Sequence, residues 1–264
     1  MGWDNLPKRL NGCGIEPNLT HLHQYFLTDE QALNRLVGIA EIDPLDRVLE
    51  IGAGVGNITE LLAQQAGTVI AYEIDKRFNV FLNSLVKQYP NITIRLEDIK
   101  RAKWPKFDRL IANIPFNALE PVLPKLAQSK VRNVVLVVGN RFRQIVGESF
   151  SPDQITKLSV MMHAFFKIDE CFVIEKSKFY PEPATDAIVV ELMPAQPKTH
   201  FLQFCRSLFD NQNKLVEHVL KLYENPCDGR RPQKSKVNLP IDILNKRADH
   251  LSNSDFKKLF LCFA

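Results

Sequence analysis

The chain has 264 residues, 45% of them hydrophobic and 24% charged, the make-up of an ordinary globular protein, which excludes a disordered or fibrous one. Its five cysteines (Cys13, Cys171, Cys205, Cys227, Cys262) are odd in number and widely spaced, arguing against a disulfide scaffold or a metal site and for a reducing cytoplasm. The net charge is a modest +4 and no stretch approaches 18 uninterrupted apolar residues, so neither secretion nor a membrane span is expected.

In chain order, seven β-branched runs read as strands: Arg47–Ile51, Thr68–Glu73, Ile92–Leu96, Arg109–Ala112, Asn133–Val138, Cys171–Ile174 and Ala187–Leu192. Between the first five lie segments such as Ile58–Gln65, Lys76–Gln88 and Leu119–Gln128, apolar at helical three-to-four spacing. Alternating strand and helix predicts an α/β fold, a Rossmann-like, mostly parallel sheet. The last two strands are divided by too short a connection for a helical crossover, which predicts an antiparallel pair at one edge. A proline-bounded linker, Met193–Pro197, then ends the strand pattern. Amphipathic segments Thr199–Phe209 and Asn213–Tyr223, and helical patterns around Ile241–Lys246 and Ser254–Phe263, predict a small C-terminal all-helical domain. The expected division is residues 1–196 and 197–264.

Charge follows that division. Residues 195–264 hold 12 Lys and Arg against 7 Asp and Glu, whereas residues 1–194 hold 22 against 23. A basic tail fits an anionic partner such as nucleic acid, or a solvated helical surface. Arg230, Arg231, Lys234 and Lys236 in the loop Gly229–Lys236, and Arg141 and Arg143 beyond the fifth strand, carry the same two readings.

The first strand ends in Glu50-Ile51-Gly52-Ala53-Gly54-Val55-Gly56 and a helix follows. Glycine there permits a tight turn with positive φ and lets a ligand approach the main chain. In a doubly wound sheet this loop lies where the strand order reverses, the place such sheets bind nucleotides. Glu73, ending the second strand, can accept both hydroxyl hydrogens of a ribose. Nicotinamide dinucleotides and S-adenosylmethionine share this much, although the glycine spacing departs from G-x-G-x-x-G. Asp98 places a further carboxylate where an adenine amine would lie. The fourth strand runs into Asn113-Ile114-Pro115-Phe116. An adenine exocyclic nitrogen is a poor nucleophile, because its lone pair is delocalised into the ring. An enzyme that methylates it must accept its hydrogens on fixed acceptors and hold the ring against an aromatic face. Asn113 and the Ile114 carbonyl are such acceptors, Pro115 restricts the backbone, and Phe116 supplies the face. His21 and His23 flank the entry to this region and are assigned no role.

Taken in order, these motifs resemble the rRNA adenine N6-dimethyltransferases, a family that includes the small-subunit enzymes, the erythromycin-resistance methylases and the mitochondrial transcription factor B proteins. The similarity covers residues 21–264. It runs through Gln24-Tyr25-Phe26-Leu27, Glu50–Gly56, Glu73-Ile74-Asp75, Asp98, Asn113–Phe116, Phe179-Tyr180-Pro181-Glu182-Pro183 with Asp186–Val190, and Arg247–Ser252. The resemblance implies S-adenosyl-L-methionine as cofactor, contacted by Tyr25, Leu27, Gly52, Gly54, Glu73, Asp98 and Asn113. It implies catalysis by Asn113, Ile114, Pro115 and Phe116, with the target adenine held between Phe116 and Phe179. The partner it implies is RNA, a small-subunit precursor met in the cytoplasm by a monomeric enzyme. Tyr25 replaces the family's Asn or His, so that contact is expected through the backbone. Asn117–Pro121 and Gly139–Gln144 depart from the small-subunit pattern in parts expected to face RNA. The alternatives are a non-catalytic RNA- or DNA-binding relative that keeps the pocket, a large-subunit rRNA methylase, and a nicotinamide oxidoreductase.

Overall fold

The computed structural model describes residues 3–114, 116–146, 155–197, 199–224 and 237–263. Pro115, Cys227 and the basic loop Gly229–Lys236 lie outside the described residues. The elements up to the end of the glycine-loop helix are α1 (Leu6–Gly12), β1 (Phe26–Leu27), α2 (Glu30–Ile39), β2 (Arg47–Ile51) and α3 (Asn57–Ala63). There follow β3 (Thr68–Tyr72), α4 (Asn79–Gln88), β4 (Ile92–Arg95), β5 (Arg109–Asn113), α5 (Phe116–Gln128) and β6 (Asn133–Gly139). The chain continues through α6 (Arg143–Val146), α7 (Lys157–Phe165), β7 (Phe166–Ile174), β8 (Phe179–Tyr180) and β9 (Ala187–Pro194). It finishes with α8 (His200–Asp210), α9 (Val216–Glu224), α10 (Ile241–Leu244) and α11 (Asn253–Phe263).

The seven expected strands form one sheet in the order β4-β3-β2-β5-β6-β9-β7. Strands β4, β3, β2, β5 and β6 pair in parallel, and β9 is antiparallel to β6. Runs such as Leu110-Ile111-Ala112 and Val134–Val138 are almost wholly buried, as strands of a parallel sheet covered on both faces must be. The chain winds outward from β2 through β3 to β4, then returns to β5 on the other side of β2. The switch point is therefore the carboxyl end of β2 and β5. The β4–β5 crossover is irregular: Leu96–Asp108 contains no helix.

Several further elements escaped the sequence reading, among them β1, β8 and α2. Strands β1 and β8 form a two-residue antiparallel pair, matching Phe26 with Tyr180 and Leu27 with Phe179; the Tyr180–Pro181 peptide bond is cis. Helix α2 is capped by Asp29, whose side chain accepts from the Ala32 N–H at 2.8 Å. It buries Ala32, Leu33, Leu36 and Val37 on one face.

The chain divides into two compact units, one made of Met1–Phe142 with Asp169–Met193, the other of Arg143–Ile168 with Pro194–Ala264. The expected linear boundary at 196/197 lies close to the end of the first unit, whereas this division groups residues 143–168 with 194–264. The reason is packing. Phe165 of α7 stands 6.1 Å from Phe209 of α8, and the Arg206 guanidinium lies 4.8 Å from the Phe165 ring centroid, so α7 is built into the helical unit. The helical unit is strongly aromatic: Phe204 stacks on Phe263 at 5.2 Å and Phe209 on Phe256 at 5.6 Å, contacts worth roughly 0.5–1.5 kcal/mol each beyond burial. Among the described residues no helix is long and apolar enough to cross a membrane.

Candidate active site

A cavity opens at the switch point in the first unit, and seven of the expected residues line it: Tyr25, Gly52, Gly54, Glu73, Asp98, Asn113 and Ile114. The glycine loop shapes one wall. Gly54 has φ of +54°, and a Cβ there would stand 2.9 Å from the Phe26 ring, so any side chain at 54 would both strain the backbone and collide with the wall. The bare loop turns its Gly54 N–H onto Glu73 Oε2 at 2.7 Å, while Glu73 Oε1 accepts from the Asp75 N–H at 2.7 Å. Burial raises the Glu73 pKa, and these two amide donors oppose the rise. Each carboxylate oxygen accepts two hydrogen bonds, so Glu73 keeps capacity for the two hydroxyls of a ribose.

Asn113 ends β5 across the cavity. Its Nδ2 donates to the Tyr25 carbonyl at 2.9 Å, and because a carbonyl only accepts, this contact fixes the amide with Oδ1 turned the other way. The main chain of Tyr25 thus orients Asn113, a contact distinct from the one expected with the cofactor. Ile114, 5% exposed, follows at once. Pro115 is outside the described residues, and of Phe116 only the backbone, opening α5, is described.

Leu27 and Phe179 are not among the cavity walls. They face each other in the β1–β8 pair and are buried, at 0% and 6% exposure. The pair instead holds the chain entering the cavity, with Thr28 N–H donating to the Lys178 carbonyl at 2.9 Å and Lys178 Nζ to Asp29 at 2.9 Å.

The sequence reading placed His21 and His23 at the entry and Gln24 in a motif, but gave the strap just before Tyr25 no role in the site. His21, His23 and Gln24 all line the cavity. Gln24 is buried and donates through Nε2 to Asp75 Oδ2 at 2.8 Å, while its Oε1 accepts from the Asn18 N–H at 2.7 Å. Arg77 grips the same Asp75 carboxylate, its Nη2 at 2.6 Å, and reaches the Glu16 carbonyl at 3.1 Å. Burial works against ionisation of Asp75, but Arg77 and Gln24 hold its pKa below the ordinary value. The signal was legible as Asp75-x-Arg77 after Glu73, but its partner lies 51 residues away. Ile74, 49% exposed, adds an apolar face to the cavity.

One buried acid stands behind this site. Glu50 accepts from the Thr59 hydroxyl at 2.6 Å through Oε2, while Oε1 has no hydrogen-bond partner among the described residues. Its pKa is pushed up to about 8, by burial above all.

The sequence profile described as Ribosomal RNA adenine dimethylase matches residues 17–258. The chain belongs to that family. It is 30% identical over 244 residues to the Ribosomal RNA small subunit methyltransferase A of Thermotoga maritima, covering 91% of this chain and 83% of the relative. It is 31% identical over 236 residues to the Probable ribosomal RNA small subunit methyltransferase A of Methanosarcina acetivorans, covering 87% of each. Among solved structures it is similar to a dimethyladenosine transferase from Plasmodium falciparum, with 27% identity, a TM-score of 0.59, and coverage of 89% of this chain and 96% of that one.

Proposed function

We propose that this member of the ribosomal RNA adenine dimethylase family transfers methyl groups from S-adenosylmethionine to N6 of an adenosine in small-subunit rRNA. The observation that carries the reading is the Asn113 amide, held with its oxygen free by the Tyr25 carbonyl, across a cavity from the glycine loop and Glu73. The cofactor fits the residues present: glycines at 52 and 54 whose positive φ strains any side chain, a buried carboxylate with two spare acceptor sites, and the apolar face of Ile74.

S-adenosylmethionine supplies a sulfonium methyl, electrophilic enough that attack on it needs no strong base. The protein's part is placement and charge. Glu73 receives the ribose hydroxyls, and Asp98 receives the adenine amine of the cofactor. Asn113 Oδ1 and the Ile114 carbonyl accept hydrogens from the target amine, drawing electron density onto its nitrogen as it attacks. Holding both reactants in one cavity removes the entropic cost of their encounter, and acceptors already fixed in place need not reorganise during the reaction.

The test is to incubate the protein with methyl-labelled S-adenosylmethionine and unmethylated small ribosomal subunits and to map the modified base. Label on adenosine N6, lost in Asn113→Ala while S-adenosylhomocysteine still binds, is the expected result. Absence of label from any rRNA would overturn the reading.

A further inference from the structure

The irregular β4–β5 crossover is a rigid platform whose outer face is cationic. Residues 100–106 read Lys-Arg-Ala-Lys-Trp-Pro-Lys, four cations and no acid in seven residues. The backbone is pinned from within. Asp98 accepts the Arg101 and Ala102 N–H groups at 2.9 and 3.0 Å through its carbonyl, and the Lys100 N–H at 3.0 Å through its side chain. Trp104 Nε1 donates to the Ile99 carbonyl at 2.9 Å, and its ring lies 5.8 Å from that of Phe107. From α5, Lys125 Nζ donates to the carbonyls of Lys100 and Ala102 at 2.7 and 3.1 Å. Ile99, Ala102 and Phe107 are buried, at 7–8% exposure.

What is left outside is charge. Arg101, Lys103 and Lys106 are exposed, and among the described residues none of them forms an ion pair. Two of the neighbouring acids are otherwise engaged, Asp98 lying 3.7 Å from Lys100 and Asp108 pairing with Arg47 at 3.4 Å, while the third, Glu97, lines the cavity. The same segment reaches the cavity, whose walls include Glu97, Asp98, Ile99 and Lys100. Exposed cations on one loop repel one another unless an anion meets them, and the loop borders, on its Asp98 side, the same cavity as Asn113 and Ile114, the groups read as receiving a target adenosine, which in RNA carries phosphates on both sides.

We propose that Arg101, Lys103 and Lys106 form a phosphate-binding lip that receives the RNA backbone flanking the target adenosine. The proposal rests on the reading of the chain as an RNA adenine methyltransferase and adds to it a contact surface in the first unit, separate from the basic tail. Phosphate contacts position the strand without reading its sequence, so the lip sets affinity and register and leaves the choice of base to the cavity.

The experiment replaces Arg101, Lys103 and Lys106 together by Gln. Binding of deproteinised, unmethylated small-subunit rRNA is measured by filter retention over a range of salt, with S-adenosylhomocysteine affinity measured alongside. Each lost phosphate contact lowers the slope of log affinity against log salt by about 0.7–0.9, so a fall of about 2–3 is expected, with cofactor affinity unchanged. Lys87→Gln with Lys130→Gln, both exposed, controls for net charge and should keep nearly the wild-type slope. An unchanged slope in the triple variant, or an equal loss per charge in the control, overturns the lip while leaving methyl transfer by the wild type intact. So does weakening seen only with whole subunits, which would assign the loop to a ribosomal protein. Failure of the wild type both to bind rRNA and to methylate it would instead remove the functional reading beneath the proposal.

Discussion

An asparagine can present either its oxygen or its nitrogen to a substrate, and at position 113 the carbonyl of Tyr25 makes the choice. Tyr25→Phe keeps that carbonyl and should retain methyl transfer within a few-fold. Asn113→Asp sets a carboxylate oxygen against it and should lower the single-turnover rate a hundredfold or more, the usual cost of one preorganised contact. Equal rates for the two variants would show that the orientation is unimportant. Glu73→Ala removes a charged acceptor whose hydrogen bonds are worth roughly 1.5–3 kcal/mol each before water compensates, so calorimetry should show S-adenosylhomocysteine binding weakened at least tenfold in a folded protein. Glu50 makes a prediction of a different kind. The folded chain holds its proton up to about pH 8, while the unfolded chain releases it near 4.5. In that window the native state binds more protons, so stability should fall as pH rises through it and level off above, by up to several kcal/mol at roughly 1.4 per unit. The raised pKa of Glu73 acts with the same sign. Urea unfolding at pH 5 and pH 8 checks this: Glu50→Gln should flatten much of the slope, and a wild-type slope in that variant would locate the effect elsewhere.

At the scale of elements, helix ends show how local chemistry and tertiary contacts reinforce each other. Ser252 and Asp255 open α11 with reciprocal bonds, Asp255 N–H to Ser252 Oγ at 3.2 Å and Ser252 N–H to Asp255 Oδ2 at 2.9 Å. Lys246 then closes on both oxygens of the same carboxylate at 2.8 and 2.9 Å. Burial raises the pKa of Asp255, but Lys246 and Ser252 outweigh it and hold the group below its ordinary value. The stabilisation is therefore present above the unfolded pKa and is lost as pH falls through the folded one. Asp255→Ala removes cap and ion pair together and should cost about 2 kcal/mol, a figure discounted for the partial exposure of Lys246. Its measurement is the urea midpoint at neutral pH, and a shift under about 0.5 kcal/mol would show the pair to be idle. The cap of α2 has the same kind of local signal, Asp29 followed by apolar residues at 32, 33, 36 and 37, although the sequence reading assigned no helix there. The seven-strand list succeeded because period-two and buried β-branched runs are local signals, whereas β1 and β8, at two residues each, are too short to carry one.

At the scale of the whole molecule, every residue lining the cavity belongs to the first compact unit. Binding to the native state alone stabilises by about 2.7 kcal/mol at a hundredfold excess over Kd. Hydrogen exchange with and without S-adenosylhomocysteine should therefore show added protection concentrated in the strap before Tyr25, the glycine loop and the ends of β3 and β5. The amides of α8 and α11 should move less. Greater protection in those helices than in the glycine loop would place the ligand elsewhere.

By itself the sequence determined the alternating strand and helix plan, the glycine loop, and the carboxylates and amide at three strand ends. Each is encoded within a window of a few residues, through side-chain period, positive φ or a strand terminus. Only the tertiary structure decided that the Tyr25 carbonyl orients an amide 88 residues away, that Gln24 reaches Asp75 across 51 residues, and that Leu27 and Phe179 turn into the core. It alone placed residues 143–168 with the helical unit. A main-chain carbonyl is the same on every residue, and a packed face is apolar whatever it packs against, so neither carries a local mark of its partner.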